Sequence, residues 1–517
     1  MQHNVLNIPA GLPFSRSLAQ YLTRKADEEN KSLTEYRILL PTRRACRILR
    51  DSFLDLNDGK PMLLPQLSPI GDVDEEDLSL LMFGNAGGFL DVPEAVSPIK
   101  RQLMLARLIR QVPDFAQGAD HALALAAALA RFIDQVIVEG LDFEDLHKIV
   151  PDDFAAHWQI TIEFLKIISE NWPKMLEAEG LIEASERRNI LLQALSDYWR
   201  DNPPDYPVIA AGATGSIPAV ADLLDVISSM PGGEVILPAV DLEMDDDAWD
   251  CINESHPQYM LKRLLHRMKV SRSDVSQITD FDAAKSRRAL IGSVMLPAQA
   301  TYKWKDFARS SDLQSMSSYL EYYPCVTQGE EAKVISLIMR KSLNKSRHVT
   351  ALVTPDRVLA RRVSAQCRKW GVEVDDSAGQ SLADSRLGKF LVLIIRASLC
   401  GYDAVAMLAL LKISYCRFSQ EEEHFSKMVD VLENEVLRSD NPITSYDMLR
   451  EKVIDNPELL SFVDDFYAAL SGLKLHPRKS GFKDLLISHV KVAEALAALS
   501  DQDGADILWR GDVGEAA

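Results

Sequence analysis

Two short apolar runs near the N-terminus, joined by a single helical stretch, restrict the fold more than any other feature of the chain. Val5-Leu6-Asn7-Ile8 reads as a strand, and Pro9-Ala10-Gly11 breaks it. Residues 13–30 then place Leu18, Tyr21 and Leu22 on one side of a helix. YRILLPT, residues 36–42, is a second apolar run and reads as a buried strand. Parallel strands need a crossover of about a dozen residues or more, usually a helix. The spacing therefore predicts a βαβ unit within a parallel sheet. A second helix is expected over 43–56, with Ala45, Ile48, Leu49 and Phe53 on its apolar face. The stretch 61–77, PMLLPQLSPIGDVDEED, reads as proline-broken loop.

The pattern changes over residues 97–200, where three long helical segments dominate. Asp152 or Asp153 is a candidate cap for the last of them, and Gly180 a candidate stop. Sheet patterning returns with a strand in 206–216, a helix over 219–230 and a strand in 232–242. Residues 255–320 read as a mixed connector. A second α/β block follows, with strands expected at 321–327, 348–354 and 371–376 and helices between them. Beyond residue 385 the pattern is helical again. The expected class is α/β, with two parallel-sheet domains and helical insertions. The first domain takes residues 1–96 and 206–255, with the insertion at 97–205 and the connector at 256–320. The second takes 321–400, and 401–517 is an incomplete helical insertion. The chain is expected to stop inside that last part, since SDQDGADILWRGDVGEAA offers no closing strand or cap.

A length of 517 residues fits several domains, and a formal charge of −19 excludes a uniformly basic surface. It does not exclude a local patch. Residues 1–50 carry nine Lys/Arg against four acids, whereas residues 51–98 carry ten acids against Lys60 alone. The six cysteines never fall at C-x-x-C spacing, so neither a local metal pair nor a disulfide framework is expected. Reduced thiols fit a cytoplasmic protein. Arg131 and Asp134 interrupt one apolar stretch, and Arg396 and Asp403 another. Neither offers the roughly 20 uncharged residues of a membrane helix.

Strand, glycine turn and helix is how a nucleotide-phosphate loop begins, but such a loop also needs a Lys for phosphate charge and a hydroxyl for magnesium. Around Gly11 those places hold Phe14, Ser15 and Arg16, so this is at most a degenerate phosphate loop. The acidic run 240–250 fails the calcium-loop pattern, because Asp246 stands where glycine is required and Ile252 where Glu is. Helix N-terminal acids account for it better. His157, beside Trp158, reads as a packed histidine. No catalytic and no metal-binding residue is identified. The more informative stretch is ILLPTRRACRILRDSF (38–53), where a strand ends at Thr42 and Arg43 and Arg44 open a helix. A hydroxyl, first-turn N–H groups and guanidinium groups suit a nucleic-acid phosphate. A capped helix with exposed arginines explains the same residues equally well.

Thr42-Arg43-Arg44-Ala45 with Arg50 resembles the DNA-contacting motif of UvrD-like superfamily 1 helicases. Six ordered phrases resemble the AddB subunit of alphaproteobacterial AddAB helicase–nucleases: ILLPTRRACRILRDSF, GDVDEEDL, HWQITIEFLKIISENWP, EGLIEASERRNILL, VIAAGATGSIPAVADLL and HPQYMLKRLL. The resemblance runs to about residue 400 and more loosely beyond. It implies two RecA-like domains in an inactivated helicase fold, with no membrane association. It further implies double-strand break repair beside an AddA helicase–nuclease partner, acting on double-stranded DNA ends and single-stranded DNA. Members of that family carry a nuclease domain with an iron–sulfur cluster and use magnesium. Here no late cysteine cluster and no acid-and-lysine nuclease motif is found, so no cofactor is expected in this chain. The Lys and second glycine of the phosphate loop are missing, Ala211-Gly212 stands where an active helicase carries Asp-Glu, and Thr354 stands where an arginine is common. The implied role is that of a subunit without a motor. A scaffold that docks a partner without touching DNA is the alternative, and the acidity favours it.

Overall fold

The computed structural model describes residues 3–70, 92–112, 118–141, 167–278, 285–345, 348–379, 381–399, 403–438, 443, 445–473 and 481–517. Asp152, Asp153, His157 and Cys400 lie outside them. The chain divides into two units, Met1–Tyr322 and Tyr323–Ala517.

In the first unit β1 (Val5–Ile8), α1 (Phe14–Glu28), β2 (Arg37–Leu40) and α2 (Arg43–Leu56) form where the apolar runs place them. They are followed by β3 (Gln66–Pro69), a two-residue β4 (Glu94–Ala95), α3 (Pro98–Ile109), α4 (Ala119–Glu139), α5 (Trp172–Ala178), β5 (Leu181–Ile182) and α6 (Ala184–Asp201). Then come β6 (Val208–Ala211), α7 (Pro218–Ser229), β7 (Gly233–Pro238), α8 (Tyr259–Arg267), β8 (Ser276–Gln277) and α9 (Lys285–Val294). Six strands make one parallel sheet in the order β3-β2-β6-β7-β1-β8.

Alternation along each strand divides the core into two layers. Ile38, Leu40, Ile209, Ala211 and Ile236 pack with Leu18, Leu22, Leu49 and Phe53 of α1 and α2. Leu39, Val208, Ala210, Val235 and Leu237 pack with α6, α7 and α8 on the other face. A sheet covered on both faces favours apolar residues on both sides of its strands, which explains the largely apolar runs, with Asn7 and Glu234 as buried exceptions.

Three details of this unit differ from the expectations. Residues 66–69 form a strand within the presumed proline-broken loop. β3 is an edge strand that pairs only with β2, and Gln66 and Ile70 donate their N–H groups to Tyr36 and Leu40. Pro69 falls at a position whose nitrogen points to the open side, where a missing donor costs no ladder bond. β8 is too short for any periodicity to reveal. On α2 the buried face is Cys46, Leu49 and Phe53, whereas Ile48 is 45% exposed.

Helices α3, α4 and α5 share a separate apolar core built on Leu105, Ile109, Ile133 and Trp172. Its polar centre is Glu183, which accepts from the indole Nε1 of Trp172 at 2.7 Å and from Arg101 Nε at 3.1 Å. Arg101 also reaches Asp134 at 2.9 Å, and Asp134 accepts from Ser185 at 3.1 Å. α6 starts at this network and then buries Leu191, Leu192, Leu195 and Trp199 in the core of the large sheet. Among the described helices α4 alone is long and apolar enough to cross a membrane by length and composition. Its Ala122, Ala126, Leu129 and Ile133 face the helical core.

The second unit begins with α10 (Gln328–Ser342) and α11 (Arg357–Arg368). It continues with α12 (Arg386–Leu399), α13 (Ala404–Leu411), α14 (Glu422–Val431), α15 (Tyr446–Val453), α16 (Pro457–Leu470) and α17 (Phe482–Ala497). The strands expected at 321–327, 348–354 and 371–376 do not form. These segments have apolar runs and turns, but no hydrogen-bonded neighbour among the described residues, and a strand without a neighbour is no strand. Phe418, Phe425, Phe462 and Phe466 make the aromatic centre of the helical part, with ring centroids 5.1–5.8 Å from Phe418.

Candidate nucleic-acid interface

The carboxyl edge of a parallel sheet offers crevices wherever adjacent strands send their helices to opposite faces. Among the described residues this sheet has two such places. β2 leads to α2 on one face and its neighbour β6 to α7 on the other. β1 leads to α1, while the chain after β7 turns to the opposite face through α8.

At the first crevice Thr42 caps α2. Its backbone is extended, and its Oγ1 accepts from the N–H of Ala45 at 3.1 Å. The same oxygen still carries a hydrogen that can donate to an anion. Arg43, Arg44, Arg47 and Arg50 are all exposed along the first two turns of α2. Arg43, Arg47 and Arg50 stand at i, i+4 and i+7 and so share one face of the helix. Arg47 adds a fourth cation to those singled out from the sequence, and its helical phase was already visible there. The positive end of the helix dipole adds to the field of the guanidinium groups.

The residues of the degenerate phosphate loop do not converge. Gly11, at φ 89°, lines the second crevice. This is a cleft of about 360 Å3 bounded by Pro9, Ala239, Asp241, Met244 and Ile291, among others. Arg16 instead borders a groove along α1 with Ser17, Gln20, Arg24 and Ile278. Ser15 is half-buried at the first turn of α1. Phe14 packs over the strand ends, so that a side-chain carbon on Gly212 would sit 3.2 Å from its ring. Gly212 itself needs φ 78°, which other residues adopt at a cost. An aromatic ring from the start of α1 thus covers the carboxyl end of β6.

Sequence reasoning missed the polar residues that hold these edges in place. Asn7 is fully buried within β1, where its amide accepts from the N–H of Val240 at 2.9 Å and donates to the Val240 carbonyl at 3.1 Å. Gln258 clamps the same loop through Ala239 and Asp241. The acidic run that suggested a metal is bound by cations instead. Lys303 bridges Asp245 and Asp247, at 2.6 Å each, Arg288 reaches Glu243, and Arg272 pairs with Asp246. No motif announces these contacts, because each depends on residues brought together by the fold.

α1 is fixed to the sheet by Glu234, which is 5% exposed. It accepts from Lys25 at 2.7 Å, Tyr21 at 2.9 Å and Asn4 at 3.1 Å. Lys25 also bonds Glu29, which takes further hydrogen bonds from Lys31 and Tyr36. Burial opposes ionisation of Glu29, but the donors Lys25, Lys31 and Tyr36 prevail and pull its carboxyl from 4.5 down to about 2. A carboxyl with a depressed folded pKa contributes its full stability above its unfolded value and loses it as pH falls towards the folded one. The first unit should therefore weaken between about pH 4.5 and 2 through this group. Acid titration followed by circular dichroism checks this, and Glu29→Gln should flatten that part of the curve.

No protein-family model matches this chain, and no curated protein matches it.

Proposed function

We propose that this chain is a helicase-like subunit without a motor, which binds DNA ends through α2 beside an ATP-driven partner in double-strand break repair. The observation that carries the reading is the set of four exposed arginines in the first two turns of α2, three of them on one face, behind a threonine cap at the carboxyl edge of a parallel sheet. Phosphate contacts of this kind position a protein on nucleic acid without reading its sequence. The resemblance to AddB supplies the process, and an AddA-type helicase–nuclease is the corresponding partner. On this reading residues 321–400 belong to a second RecA-like domain, and the chain acts in the cytoplasm. The packing of Phe14 over Gly212 supports a domain kept for its DNA face and not for ATP hydrolysis.

With the partner subunit, the chain should bind blunt duplex ends, and its affinity should fall steeply as salt rises. Arg43→Ala with Arg44→Ala should weaken binding about tenfold and lower the salt slope by about two, one for each lost phosphate contact. An unchanged slope with intact partner binding would instead assign the chain a docking role without DNA contact.

A further inference from the structure

We propose that α11 and the turn after it form a single-stranded nucleic-acid site, in which Arg362, Arg368 and Lys369 hold phosphates and Trp370 stacks on an unpaired base. Residues 332–372 carry ten Lys/Arg and a single acid, Asp356, in a chain whose formal charge is −19. The fold turns this excess outward on α11. Leu359, Val363 and Cys367 recur every fourth residue and bury one face of the helix in the core shared with α10. Helical phase then puts Arg361, Arg362, Arg368 and Lys369 on the opposite side, and all four are exposed. Arg357 and Arg361 already have carboxylates, Asp376 at 2.7 Å and Asp384 at 3.5 Å. The side chains of Arg362, Arg368 and Lys369 have no ion-pair or hydrogen-bond partner among the described residues.

Trp370 closes the last turn of α11, where its backbone N–H donates to the Cys367 carbonyl at 2.9 Å, and it remains 54% exposed. Cations alone suit any polyanion, but an open indole beside them is a platform for a base. Bases in a duplex cover their faces with one another, so the platform selects an unpaired strand. Stacking accepts any base, and no sequence preference follows from it. Seven residues at about 1.5 Å each set Arg362 about 10 Å from Lys369 along the helix, so the two cations meet different phosphates. The proposal rests on the reading of this chain as a DNA-binding subunit, and adds to it the form of the strand and a second site on another unit.

The test measures the fluorescence anisotropy of a labelled oligothymidylate with the full chain over a salt series. Trp370→Ala should weaken binding about tenfold and leave the salt slope unchanged, because stacking releases no counterion. Trp370→Phe should restore most of that loss. Arg362→Gln with Lys369→Gln should flatten the slope by about 1.4, roughly 0.7 for each phosphate contact. The positions are exposed, so all three variants should keep their helical content and their binding of blunt duplex ends beside the partner subunit. Unchanged affinity and slope in these variants would overturn the site. Displacement of the strand by polyglutamate at equal charge, with Trp370→Ala no weaker than wild type, would give the surface to an acidic protein and also overturn it. A wild-type chain that binds oligothymidylate through these residues but ignores blunt ends would instead remove the end-binding role and leave this site standing.

Discussion

Glu234→Ala should destabilise the first unit by about 3 kcal/mol, the usual scale for removing one member of a buried ion pair. The carboxylate is 5% exposed and gathers Lys25, Tyr21 and Asn4 around it. Without it, the ammonium of Lys25 keeps only Glu29 as a carboxylate partner, the Tyr21 hydroxyl loses its acceptor, and the Asn4 amide keeps only the Gly233 carbonyl at 3.4 Å. Leaving a half-buried donor such as the Tyr21 hydroxyl unsatisfied adds a desolvation cost to the hydrogen bond lost. Glu234→Gln retains an acceptor and should lose less. Native-state amide exchange in β1 and β7 reads both changes. Equal losses in the two variants would show that charge, and not the acceptor, holds α1 on the sheet.

Phe462→Ala should cost the second unit about 3–5 kcal/mol, the range for removing a buried aromatic ring. Phe462 is 1% exposed, and its ring lies 5.1 Å from that of Phe418 and 5.6 Å from that of Phe425. Phe418 holds a positive φ of 35°, and its N–H donates to the Leu496 carbonyl at 2.9 Å. Removing the ring across from Phe418 therefore loosens one side of a backbone turn that packing and hydrogen bonds hold together. Exchange of amides in α14, α16 and α17 should quicken together, while those of the first unit keep their rates. A change confined to α16 would show that the aromatic cluster is not cooperative.

The sequence made β1, β2, β6 and β7 legible for one reason: a strand buried on both faces is mostly apolar on both sides. α2 was legible because the threonine cap and the apolar spacing coincide. β3 and β8 were not, since a proline hides the first and two residues carry no period. The strands expected in 321–376 have the right residues, but strand formation depends on a neighbour and not on composition. At the candidate site, Thr42 and its arginines could be read from adjacent residues, and Arg47 from helical phase. Asn7, Glu234 and Lys303 could not, because their partners lie far away along the chain.

The order in which this sheet is wired matters when the chain leaves the ribosome. Its outer part, β1, β2 and β3, is synthesised first, but β1 finds its inner neighbour only at residues 235–238 and β2 only at 208–210. Helices α3, α4, α5 and α6 emerge in between, and α6 starts at one core and packs in the other. β6, α7 and β7 form a contiguous unit and provide the middle of the sheet. Until that unit arrives, the nascent chain carries apolar strands whose inner edges are open, and this is the interval in which it most needs protection from aggregation. The Cys46, Leu49 and Phe53 face of α2 rests on β2, so the arginines on its exposed side take their final position only after residue 208 has been translated.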